Sequence, residues 1–307
     1  MPRKPKVIAV VPTFGPDVDL VARLGAIAGQ VHSVLVIDDG SAADASPVLD
    51  ALEASGIEVI RNPSNRGIAA ALNTGASLAL QRGADFVLTI DQDTELVDDY
   101  IDVCVSAFTR PSARERVGVV CADIINRAPS IPEAYTDDGL GIVREAIQSG
   151  FVISRECLTA CGLFDSRLFI DAVDTEFCLR IAGRGFVTVI VPGTRIVHTL
   201  GEEVPFRPFG RQQIRGGVPA TYEYHKPFRR YFIVRNNVDL YFRYFRTRPE
   251  WVRSSIRREI NPTVKSIVSG PYRGRELLSV IAGIAHGVIR RRGPLSPALR
   301  RLLVPSA

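Results

Sequence analysis

The residues best suited to chemistry in this 307-residue chain are acids and amides that directly follow short apolar runs. Asp91-Gln92-Asp93 follows FVLTI. In an extended segment residues two apart point to the same side, so both carboxylates can face one ligand. Hard oxygen donors of this kind suit Mg²⁺ or Mn²⁺, and such an ion neutralises a departing diphosphate. A local explanation competes, because Asp also caps helices and fills turns, and a helix is expected to start near Glu95. Asp38-Asp39 follows VLVI. A carboxylate there could accept the N3–H of uracil or thymine, or the pair could serve as a turn or cap; of the two, Asp39 is the better ligand candidate. Asn65-Arg66 precede Gly67 and a run of small residues. Arg66 sits where a helix N-terminus helps to hold phosphate, whereas close packing accounts for the alanines and glycines behind it. Gly150, just before FVISR, either lets the backbone approach a sugar or simply ends a strand. Asp174 and Glu176 open a segment with Phe177, Leu179 and Ile181, where carboxylates also stabilise a helix dipole. His198 follows RIV; taken alone, a histidine is more often packed or at the surface than a ligand.

These residues need elements to hold them. VIAVV (7–11) and VLVI (34–37) read as buried parallel strands, with Val18, Leu20, Val21, Leu24 and Ile27 forming a crossover helix between them. The alternation continues with a helix over 46–55, a strand over 57–61, a helix over 66–82 and a strand over 85–90. Repetition of this kind predicts an α/β fold, a mostly parallel sheet with helices on both faces, in which ligands bind beyond the carboxyl ends of the strands. Those ends carry Pro12-Thr13, Asp38-Asp39, Asn62 to Gly67 and Asp91-Gln92-Asp93. PTFGPD after the first strand is not the GxGxxG of a dinucleotide oxidoreductase, and no Walker A loop is present.

Composition sets the outer bounds. With 46% hydrophobic and 23% charged residues the chain can bury a large core. Five cysteines, Cys104, Cys121, Cys157, Cys161 and Cys178, have no CxxC spacing and read as core residues of a protein in a reducing compartment. No apolar run reaches the ~18 residues of a membrane span, and the N-terminus reads as no export signal. The net charge of +5 is uneven. Residues 229–307 carry 17 Lys/Arg against 4 Asp/Glu, a net of +13, which leaves residues 1–228 acidic. Arginines such as Arg253, Arg257 and Arg290 to Arg292 lie among Tyr241, Phe242, Phe245, Trp251 and Ile256. That pattern predicts basic amphipathic helices on an anionic membrane surface, the alternative being solvated helix faces. Nucleic acid is not expected as a partner, since no binding motif supports it.

PTFGPD, VIDDGS, NRGIAAALNTG and TIDQDTEL, in this order, resemble the family 2 glycosyltransferases of the GT-A fold. SGFVISRECLTACGLFDSRLFIDAVDTEFCLRIAGRGF is similar to that family's acceptor region, with wording nearest the bacterial rhamnosyltransferases. The resemblance covers roughly residues 7–245. It implies a Rossmann-like GT-A domain, with residues 1–117 for the nucleotide sugar and 118–228 for acceptor and catalysis; the charge pattern adds residues 229–307 as a basic, mainly helical C-terminal appendage. The resemblance further implies metal-dependent, inverting transfer, with Pro12, Thr13 and Asp39 at the nucleoside, Asp91 and Asp93 at ribose and metal, and His198 completing the metal site. Asp174 matches the family's base, a role that inversion itself demands, since one carboxylate must take the acceptor's proton. Val173 departs from the usual Glu-Asp wording, and Asp171 is the reserve base. The expected donor is dTDP-rhamnose, and the expected acceptor is a lipid-linked or cell-surface glycan. The expected place is the cytoplasmic face of the membrane. The alternatives are a UDP-hexose or UDP-galactofuranose donor, or nucleotidyl transfer to a sugar phosphate. The last would want a Gly-rich first loop where PTFGPD has only Gly15. A non-catalytic glycan-binding relative would lack the site acids, all of which are present.

Overall fold

Alternation along the first strand fixes which side chains meet which helix. In β1 (Val7–Thr13) every residue is buried. Ile8 and Val10 point to one core, and Val7, Ala9 and Val11 to another. The computed structural model describes residues 3–110, 115–198 and 202–304. It divides into two compact units, residues 1–169 with 173–199, and residues 170–172 with 200–307.

In the first unit α1 (Leu20–Ala28), β2 (Ser33–Asp38), α2 (Ser46–Ala54), β3 (Glu58–Arg61), α3 (Ile68–Gln81) and β4 (Phe86–Thr89) follow β1 as expected. Then come β5 (Thr94–Leu96), α4 (Tyr100–Ala107), β6 (Arg116–Ile125), β7 (Ala128–Pro129), β8 (Ala134–Tyr135), β9 (Gly141–Val143), β10 (Phe151–Ser154), α5 (Arg155–Cys161), α6 (Val173–Ala182) and β11 (Phe186–His198). The sheet order is β3-β2-β1-β4-β10-β6-β11-β9-β8, with β5 on β11 and β7 on β6. Strands β1 to β4 are parallel, β10 is antiparallel to both β4 and β6, and β11 is parallel to β6. The long strands other than β10 therefore share one direction. Their carboxyl ends form one rim.

Leu20, Leu24 and Ile27 of α1 join Val48, Leu49 and Leu52 of α2 on one face. The small residues of α3 serve the other. Gly75 lies so close to β1 that a Cβ would meet Val10 Cγ1 at 2.2 Å, and Ala69, Ala71, Ala76 and Ala79 are fully buried. All five cysteines are free and buried. The sequence expectation fails at Glu95, which lies in β5 rather than at the start of a helix. Thr94, Glu95 and Leu96 pair with His198, Val197 and Ile196, a long-range pairing that no local pattern announces. Helix α4 starts only after Asp99, which has φ +61°.

The second unit holds β12 (Glu202–Pro205), β13 (Ile214–Arg215), β14 (Val218–Pro219) and β15 (Thr221–Tyr224), with β12 paired to β15 and β13 to β14. Helices α7 (Pro227–Tyr244), α8 (Pro249–Ser269), α9 (Arg273–Val288) and α10 (Pro297–Leu303) follow. Among the described residues no helix is long and apolar enough to cross a membrane.

Candidate functional site

Antiparallel pairing of β5 with the end of β11 sets His198 opposite Thr94. That brings the histidine to the DQD turn 105 residues earlier. Its Nδ1 lies 3.2 Å from Asp93 Oδ1, and its Nε2 lies 4.0 Å from Asp91 Oδ2. Asn126 pins the His198 backbone from both sides, accepting from its N–H at 2.9 Å and donating to its carbonyl at 3.0 Å. A chain of hydroxyls supports the corner: Asp91 N–H donates to Ser149 Oγ (2.9 Å), Ser149 donates to Thr94 Oγ1 (2.7 Å), and Thr94 Oγ1 lies 2.8 Å from His198 Nδ1. Gln148 Nε2 donates to Asp91 Oδ1.

One ligand atom each from Asp91, Asp93 and His198 falls within 4.8 Å of the others. Two carboxylates and one imidazole form a donor set suited to Mn²⁺ and acceptable to Mg²⁺, with coordination positions left for oxygens of a diphosphate. The residues present fit a divalent cation.

The rim at the end of β2 is organised by Asp39. Its buried carboxylate accepts from Arg66 N–H at 3.0 Å, from Gly67 N–H at 2.7 Å and from Asn62 Nδ2 at 3.3 Å. Asp39 thus ties the end of β2 to the turn that starts α3. Asp38 accepts from the Ser41 N–H and hydroxyl, the turn role that its sequence position also allowed. Thr13 donates through Oγ1 to Gln92 Oε1 at 2.5 Å, and Phe14 N–H donates to the same oxygen at 2.9 Å. The middle residue of the DQD turn therefore clasps the end of β1, with buried Thr13 beside Pro12. Asn65 Oδ1 accepts from Gly67 N–H at 3.1 Å, and the Asn65 and Arg66 side chains are exposed.

Gly67 has φ +90°, and its Cα faces the backbone of Phe169, whose carbonyl oxygen would lie 2.4 Å from an added Cβ. This contact joins the turn before α3 to the segment that leads into α6. Asp174 stands in the first turn of α6 and accepts from Thr175 N–H at 2.7 Å. Because the short turn at 183–185 joins α6 to the start of β11, the first turn of the helix lies toward the carboxyl rim. Glu176 is buried and bonded to Arg180 (2.9 Å), which also donates to the carbonyls of Cys161 and Leu163. Its role is to fix the helix. Gly150 has φ +88°, and a Cβ there would lie 2.8 Å from the Tyr100 hydroxyl, so the strand end itself demands glycine.

In the second unit Asp171 pairs with Arg229 at 2.5 Å. Asn236 Nδ2 donates to the carbonyls of both Ile170 and Asp171 at 2.8 Å. Asp171 and Ala172 have φ of +65° and +58°, an unusual backbone for such residues.

Sequence reasoning missed Gln92, Thr94, Asn126, Gln148 and Ser149. Only the run Gln148-Ser149-Gly150, polar residues just before an apolar strand, carried a local signal. Thr94 and Asn126 acquire their roles through strand pairing.

Residues 9–137 match the family model for glycosyl transferase family 2. The dTDP-rhamnosyl transferase RfbF of Shigella flexneri is 28% identical over 244 residues, covering 75% of this chain and 78% of that one. Among solved structures, the mannosyltransferase PcManGT from Pyrobaculum calidifontis in complex with GDP-Man and Mn²⁺ matches with TM-score 0.53 and 17% identity, over 98% of this chain and 79% of that one. GalNAc-T7 with UDP, GalNAc and Mn²⁺ matches with TM-score 0.51 and 14% identity, over 63% of this chain. The match spans less than half, 43%, of the GalNAc-T7 chain. At these identities the structural matches establish the shared GT-A fold.

Proposed function

Because this chain is a family 2 glycosyltransferase related to the rhamnosyltransferases, we propose that it transfers L-rhamnose from dTDP-rhamnose to a glycan or lipid-linked glycan, with inversion. The observation that carries the reading is the Asp91–Asp93–His198 corner on the carboxyl rim of the sheet. The donor assignment leans on the Shigella flexneri relative.

In this reading residues 1–117 hold the nucleotide and residues 118–228 the acceptor. Pro12, Thr13 and Asp39 face the nucleoside. The 3.3 Å bond from Asn62 to Asp39 is the longest of that carboxylate's bonds and the one a base N3–H would displace. Asn65 and Arg66 stand at the start of α3, where Arg66 takes phosphate oxygens. Asp91 reaches the ribose and, with Asp93 and His198, would hold the metal. A Mg²⁺ or Mn²⁺ ion there would neutralise the diphosphate as it leaves. Gly150 lets the chain run close beside the donor sugar.

Asp174 takes the proton of the acceptor hydroxyl while that oxygen attacks from the side opposite the diphosphate. Asp174 is preferred because it stands at the family's base position in the first turn of α6, and Asp171, which pairs with Arg229, is the reserve. The basic region 229–307 brings the enzyme to an anionic membrane surface on the cytoplasmic side.

Calorimetry and transfer assays with dTDP-rhamnose, a UDP-hexose and UDP-galactofuranose in the presence of Mn²⁺ test the proposal. Tightest binding of dTDP-rhamnose is expected. Preference for a UDP sugar would reassign the donor. Release of pyrophosphate from dTTP with a sugar phosphate would replace sugar transfer by nucleotidyl transfer.

A further inference from the structure

Helix α9 is built inside out. Its buried residues are Glu276, Ser279, Gly283 and Gly287, while Leu277, Ile281, Ile284 and Val288 are 47–57% exposed. Their spacing of four, three and four residues places these aliphatic side chains on one stripe. The inner face is small because α7 comes very close. A Cβ on Gly283 would meet Val234 Cβ at 2.9 Å, and one on Gly287 would meet Val238 Cβ at 2.6 Å and the Arg235 carbonyl at 2.7 Å. Small residues inward and large aliphatic residues outward is the arrangement of helices whose surroundings are lipid.

Helix α8 extends the surface with Ile256, Ile260 and Val264, 40–57% exposed. Between the helices lies an open apolar groove of 180 Å³, lined by Val234, Val238, Ile256, Ile260, Val280 and Ile284 among others. Basic residues border it. Exposed Arg253 and Arg257 share a helical face with Ile256 and Ile260, and α9 runs directly into Arg290, Arg291 and Arg292. At this end three guanidinium groups, those of Arg243, Arg290 and Arg292, converge on Asp239, within a region, residues 229–307, that carries 17 Lys/Arg against 4 Asp/Glu. Phe242, Phe245 and Tyr272 add exposed aromatic rings.

We propose that the α8–α9 face inserts into the acyl boundary of an anionic lipid leaflet, with the bordering arginines at the lipid phosphates. The inference rests on the membrane reading above and goes beyond it, because it assigns the contact to a defined apolar face rather than to charge alone. Charge complementarity selects lipid over a second copy of the chain. A symmetric pair would set arginine rows against each other, whereas an anionic leaflet supplies the missing negative charge.

The test uses the full chain and vesicles of phosphatidylglycerol with phosphatidylethanolamine, at about 0.1 M and about 0.5 M NaCl, since salt screens charge but not apolar insertion. Wild type is expected to sediment with vesicles at both salt concentrations. Ile281→Gln/Ile284→Gln, at positions already open to solvent, should lose about tenfold or more of its binding at high salt. An Ile281→Trp variant should show blue-shifted emission on adding vesicles, against the constant background of buried Trp251. Equal high-salt binding by the double-Gln variant, or no spectral shift, would overturn insertion by this face while leaving the membrane reading standing. Failure of wild type to bind at low salt would overturn both. Concentration-dependent dimers that the double-Gln change abolishes, without vesicle binding, would give the face to a second copy.

Discussion

His198 Nδ1 stands 3.2 Å from Asp93 Oδ1, although 105 positions separate the two residues in the chain. The pairing of β5 with β11 creates this proximity, and Asn126 holds the histidine backbone in place. Removing the imidazole should therefore weaken cation binding without disturbing the strand. His198→Ala is expected to lower Mn²⁺ affinity by roughly 10- to 100-fold, on the scale seen when metal-site groups are altered. Its thermal unfolding should stay near that of wild type. Titration of free Mn²⁺ by electron paramagnetic resonance provides the readout, and unchanged affinity would remove His198 from the site.

The two candidate bases separate by kinetics. Asp174→Asn should leave donor affinity intact and lower kcat by about 10²- to 10⁴-fold, the usual worth of a positioned general base. Asp171→Asn should act differently, weakening the ion pair to the partly exposed Arg229 at a cost of about 1 kcal/mol of stability, with a small effect on kcat. The reverse pattern would make Asp171 the base.

Gly67→Ala tests the contact between the turn before α3 and the segment leading to Asp174. The φ of +90° and the Phe169 carbonyl at 2.4 Å both oppose a side chain. A loss of about 2 kcal/mol or more is expected, together with a raised KM for the donor. Wild-type stability and KM in this variant would show that the turn tolerates displacement.

Stability should also depend on pH through the second unit. Burial pushes the Glu276 carboxyl up from an ordinary 4.5 to about 7, against the opposing effects of the Tyr224 hydrogen bond, Arg230 and His225. A raised folded value means that the neutral acid is the favoured native form. Its contribution is fully present below about pH 4.5 and is lost as the pH rises through about 7. Glu276→Gln, which keeps a neutral hydrogen-bonding side chain, should flatten the fall in melting temperature between pH 5 and about 8. An unchanged slope would show that Glu276 does not control it.

The first four strands and their helices were legible because buried parallel strands and small-residue helices leave strong local patterns. VIAVV, VLVI and the alanines of α3 are examples. The DQD carboxylates were legible by type and place. Gln92 was not, because its role is to receive Thr13 and Phe14 from another strand. Strand β5 was hidden for the same reason, since only its pairing with β11 makes it a strand. In the C-terminal region the arginines announced the charge, but the inverted burial of α9 depends on how closely α7 approaches Gly283 and Gly287, which periodicity alone does not reveal.

Asp91, Asp93 and His198 are expected to bind a nucleoside diphosphate through a shared divalent cation. Calorimetric titration of dTDP into wild type and Asp93→Ala, each with Mn²⁺ and with a chelator, tests this most directly. Mn²⁺ is expected to tighten dTDP binding to wild type by tenfold or more, about 1.4 kcal/mol, and to do nothing for the variant. Equal dTDP affinity in all four titrations would contradict it.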